Sequence, residues 1–161
     1  ENLAWRCLAV GSWALKGETF LDRLRDLQYQ IHALVQAYRP ESMALEEVFV
    51  HQNAQSALKL GQARGVLLAS AFESNIPVFE YTAKQVKQAV VGKGAAPKEQ
   101  VQAMVKRLLH VEQAMSLDAS DALAVALTHA HVQKSPLAQL QSVFVRRKKR
   151  STKWRSYDRQ N

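Results

Sequence analysis

The stretch "SMALEEVFVHQNAQSALKLGQARGVLLASAFESNIPVFEYT", residues 42–82, decides the fold. Its first part, "SMALEEVFV" (42–50), is short and apolar apart from two glutamates, the pattern of a buried strand. Residues 53–73 then run at helical spacing, with Asn53 placed as the N-cap. "IPVFEYT" (76–82) reads as a second strand. Strand, helix and strand in succession predict an α/β layer structure with helices covering a sheet.

The rest of the chain extends that alternation. "LAWRCLAVGSWAL" (3–15) mixes period-2 alternation with β-formers and predicts a strand broken near Gly11. In "TFLDRLRDLQYQIHALVQAY" (19–38), Leu21, Leu24, Leu27, Ile31, Leu34 and Val35 share one helical face, and Pro40 ends the helix. Further helices are predicted at 83–92, closed by Gly92, at 99–110 beyond Pro97, and at 118–132. Ala57, Gly61 and Gly65, spaced by four, would let another element approach the second helix closely.

Composition narrows the class. A chain of 161 residues with 47% hydrophobic and 22% charged content is one soluble globular domain. No apolar run reaches the roughly 18 residues that span a bilayer, and no signal-peptide pattern is present, so no membrane is implied. The single Cys7 excludes an internal disulfide, fits a reducing cytoplasm, and reads as a small buried hydrophobe. The net charge of +8 is concentrated: residues 146–161 hold eight Lys/Arg against one Asp. The domain is therefore placed at 1–132, followed by a basic tail at 133–161 that is disordered when free and suited to phosphate. Residues 59–107 carry eight Lys/Arg and three Glu, which also points to a polyanion.

The acids carry the chemistry. "SLDASDALAVALTHAH" (116–131) opens an apolar helix with Asp118 and Asp121. One of them is explained as a cap or a dipole partner; two beside a buried helix call for a counter-charge or a cation. Glu46 and Glu47 are neighbours on a strand, so one must face the covering helices, unless both lie at a solvated edge. Acids at a strand end and a helix mouth could meet around hard divalent ions, which activate water for phosphodiester cleavage. His129 and His131 lie too far along the helix from Asp118 to share an ion, and a place near the helix C-terminus accounts for them.

"ALEEVFVHQNAQSALKLGQARGV", "PVFEYTAKQVKQAVVGKGAAPKEQV" and "DASDALAVALTHAH" together resemble the RuvC family of bacterial Holliday-junction resolvases, from about residue 8 to about residue 132. The resemblance implies a ribonuclease-H-like fold, a five-stranded mixed sheet flanked by helices, and a homodimer that nicks four-way DNA junctions symmetrically in recombination and repair. It implies Mg²⁺, with Mn²⁺ able to substitute, and partnership with the RuvA and RuvB branch-migration proteins. Carried over by position, the metal-binding catalytic acids fall on Glu46, Asp118 and Asp121. Phe49 falls on the base-stacking aromatic, and Lys87 and Lys98 on basic residues near the scissile phosphates. Lys59 and Arg64 are looser candidates for backbone phosphate.

One departure matters. The family's first strand carries a "GIDPG"-type aspartate, the fourth metal ligand, and this chain starts after it; Asp22 and Asp26, on the polar side of the first helix, do not replace it. The expectation is a piece of a longer product lacking the N-terminal strands. The alternative is a noncatalytic junction-binding paralogue.

Overall fold

The structure is a computed structural model and describes residues 5–47 and 53–134. Helix α1 (Phe20–Tyr38) begins with a capping box: the Thr19 hydroxyl accepts from Asp22 N, while the Thr19 amide donates to the Asp22 carboxylate. The Thr19 bonds hold the Asp22 carboxyl below its ordinary range. Asp26 accepts from Lys16 N at 2.9 Å, so both acids of this helix are engaged in its entry.

Strand β1 (Met43–Glu46) leads into helix α2 (Ala54–Glu73), whose first free amides, on Gln55 and Ser56, are satisfied by the Asn53 side chain. Strand β2 (Val78–Tyr81) returns parallel to β1, pairing Met43 with Val78 and Glu46 with Tyr81. Thr82 then caps α3 (Ala83–Val91) with a second capping box, and Gly92, at φ 81°, closes it in the left-handed conformation. Helices α4 (Lys98–Leu109) and α5 (Leu117–Lys134) complete the described chain, α5 running past the expected end at residue 132.

Two cores form. The larger joins Tyr81 with Val86 and Val90 of α3, Val101 and Val105 of α4, and Leu123, Ala124, Val125 and Leu127 of α5. The smaller joins Val35, Ala71 and Ile76 between α1, α2 and the approach to β2. Because α2 buries only Ser70 and Ala71, at its C-terminal end, the first turn of α1 has little to pack on. Leu21, expected on the apolar face, is 71% exposed for that reason. The positions of added side-chain atoms at Gly61 and Gly65 meet nothing within 4 Å, so no described element exploits the small-residue face of α2.

The strand expected over 3–15 is corrected for its described part. Trp5 and Cys7 pack against the larger core while Arg6 and Leu8 face outward, so the alternation is real. No described strand edge pairs with it, and without a ladder an alternating segment stays irregular. The five-stranded sheet implied by resemblance is represented by one parallel pair among the described residues. No described helix is long and apolar enough to cross a membrane.

Candidate active site

Side chains on β1 alternate between two faces, so Glu46 shares its face with Ala44, which packs against the larger core. Glu46 ends the strand at the rim of a small open cleft of about 150 Å³. Each covering helix lines it with residues one turn apart: Ala83, Val86 and Lys87 from α3, Lys98 and Val101 from α4, Asp121 and Val125 from α5. Two carboxylates and two ammonium groups thus converge over an apolar floor. Lys98 Nζ stands 3.5 Å from Asp121 Oδ2, with side chains 63% and 39% exposed, so this pair places charge rather than adding much stability.

Of the acids predicted from sequence, Glu46 and Asp121 meet in this cleft. Asp118, exposed in the first turn of α5, stands outside its lining. Lys87 and Lys98 line it too. Lys59 lies elsewhere, its Nζ 5.8 Å from the centre of the Phe20 ring. Arg64 is turned inward: Nη1 donates to the Glu46 carbonyl at 2.9 Å, and Nη2 forms an ion pair with Glu80 on β2. Phe49 lies outside the described residues.

No three Asp, Glu, His or Cys side chains gather around one point among the described residues. A closed protein cage is therefore absent from them. Mg²⁺, however, is commonly held by one or two carboxylates, with waters and substrate phosphate completing its shell. The Glu46 and Asp121 oxygens have the right donor chemistry for that mode of binding.

Sequence reasoning missed the polar contacts made farther along α5. His129 is a buried bridge, not a dipole partner: Nδ1 is 2.8 Å from the Tyr81 hydroxyl and Nε2 is 2.9 Å from Ser42 Oγ. Its ring also lies 4.4 Å from that of Phe79. Burial lowers its pKa and raises that of Tyr81. The available signal was a histidine within a helix apolar on nearly every side, which demands polar partners. His131 instead packs near Trp5, over whose ring the Lys134 Nζ sits at 3.7 Å.

The family model described as "Crossover junction endodeoxyribonuclease RuvC" matches residues 2–129. The RuvC of Geobacter sulfurreducens is 52% identical over 87% of this chain and 88% of its own length. That of Trichlorobacter lovleyi is 47% identical over 88% and 79% respectively. The solved structure of Thermus thermophilus RuvC in complex with Holliday junction substrate is 38% identical, with a TM-score of 0.68 over 72% of this chain and 73% of that one. Fold and relatives define the class: a DNA endonuclease with a ribonuclease-H-like α/β fold. The chain belongs to the RuvC family of Holliday-junction resolvases.

Proposed function

We propose that this chain recognises four-way DNA junctions and nicks two strands symmetrically, as a homodimer, by metal-dependent phosphodiester hydrolysis. The observation that carries this reading is the meeting of Glu46 and Asp121 with Lys87 and Lys98 in one cleft of a RuvC-family chain. Glu46 and Asp121 would hold a divalent ion, Mg²⁺ or Mn²⁺, with Asp118 the third acid at the helix mouth. Such an ion supplies Lewis acidity and an activated water. Lys87 and Lys98 attract and orient the phosphate, and the apolar floor of Val86, Val101 and Val125 limits competing water.

Phe49 stacks on an unpaired base in this reading, and Lys59 and the basic segment 146–161 add long-range attraction to the duplex arms. The family resemblance supports a cytoplasmic setting and work alongside the RuvA and RuvB proteins. A second reading, junction binding without cleavage, is favoured by one observation: Asp118 stands outside the cleft that holds the other two acids.

Incubation with Mg²⁺ on a labelled four-way junction and a matched linear duplex decides between them. Paired nicks on the junction alone, abolished by Glu46→Gln with junction affinity retained, are the expected result. Retention without nicking establishes the second reading, and equal affinity for both DNAs overturns both.

A further inference from the structure

Arg64 sits where the proposed function needs rigidity. Met43 N donates to Pro77 O at 2.9 Å and Glu47 N to Tyr81 O at 2.8 Å, so the peptide groups of alternate residues 43, 45 and 47 face β2. Those of Glu46, between them, face away from the only partner strand among the described residues. Its carbonyl is met by Arg64 Nη1 at 2.9 Å, while Nη2 of the same guanidinium pairs with Glu80, the neighbour of Tyr81 on β2. One planar fork thus ties α2 to the last rungs of both strands. The Arg64 side chain is 22% exposed, against 63% for Lys98 in the cleft, and two arms of its fork are committed inward.

We propose that Arg64, braced by Glu80, is a positioning residue that fixes the main chain of Glu46, rather than a contact to DNA phosphate. This rests on the reading of Glu46 as a catalytic acid. A guanidinium makes both contacts at once; an ammonium, a single point charge, makes one. Released from this tether, the Glu46 carboxylate drifts, and misplacement by about 1 Å costs on the order of 100-fold in rate.

The test uses the full 161-residue chain and its Arg64→Ala, Arg64→Lys and Glu80→Gln variants. Single-turnover nicking at saturating junction should fall about 10- to 100-fold in both Arg64 variants and less in Glu80→Gln. Junction affinity should stay within about twofold, with an unchanged salt dependence. Activity-independent evidence comes from amide exchange: the Glu47 N–H should exchange about tenfold faster in both Arg64 variants, with no change at the core residue Val105.

A phosphate contact predicts the reverse. Arg64→Ala would then lose affinity and reduce the salt slope by about one, Arg64→Lys would behave as the parent, and Glu80→Gln would bind more tightly. That pattern overturns the proposal, as does unchanged Glu47 exchange. If the parent binds junctions without nicking, the catalytic reading of Glu46 fails by itself, and the exchange measurement alone decides the tether.

Discussion

Replacing Tyr81 by Phe removes one oxygen from the core and leaves the ring volume in place. The lost group holds His129 Nδ1 at 2.8 Å, and both residues are more than nine-tenths buried. The imidazole nitrogen would then face apolar surroundings, beside the Phe79 ring, without a partner. Leaving a buried polar atom unsatisfied costs about 1–3 kcal/mol. With an m-value of about 2 kcal/mol/M, a loss near 2 kcal/mol lowers the urea midpoint by about 1 M. Ser42 at the other ring nitrogen is only half-buried, so water can replace its hydroxyl, and Ser42→Ala should cost less than about 1 kcal/mol. Equilibrium urea unfolding of the parent, the two single variants and the double variant at neutral pH measures all of this. A Tyr81→Phe midpoint within about 0.2 M of the parent, or a larger loss for Ser42→Ala, would refute the bridge as a stabilising element.

The same histidine sets a pH dependence. Burial lowers the folded-state pKa of His129 below its ordinary 6.5, so the unfolded chain takes up this proton first as pH falls. Its contribution to stability is therefore complete above about pH 6.5 and declines below it; an NMR titration placing His129 at or above 6.5 contradicts this. Gly17, at φ 140° and with an added carbon falling 2.5 Å from Asp22 Cβ, admits no side chain without moving the α1 capping box. Gly17→Ala should cost about 2 kcal/mol in thermal or urea unfolding, and a neutral outcome would mean that the entry to α1 adapts freely.

The strand–helix–strand core was legible because each boundary has a local cause: Asn53 and Thr82 cap their helices and Gly92 ends one. Glu46 and Asp121 were legible because acids inside apolar runs demand an explanation beyond packing. Asp118 joins them through the family resemblance and stands in the first turn of the same helix, three residues before Asp121, yet the cleft is lined by Asp121 alone of the two. Arg64 and His129 make contacts that the sequence does not announce, for a shared reason. Their roles depend on partners 16 to 87 residues away, Glu80, Tyr81 and Ser42, and no local pattern records such pairings. The segment 5–15 shows the complementary limit: period-2 alternation reports which side chains point inward, while a ladder also requires an edge to join.

The pairing of Glu46 with Tyr81 has a consequence for how this sequence can vary. Tyr81 is followed at once by the cap of α3, so the strand acid and the helix bearing Lys87 are indexed to a single rung. Substitutions around that rung can be absorbed one atom at a time. A single inserted or deleted residue in 43–46 or 78–82 cannot, because it turns the acid to the opposite side of the sheet or rotates the lysine away by more than a quarter turn. Natural length variation should therefore concentrate in the connections at 92–97 and 110–116, and be absent from these two short segments, even among distant relatives that share few of their side chains.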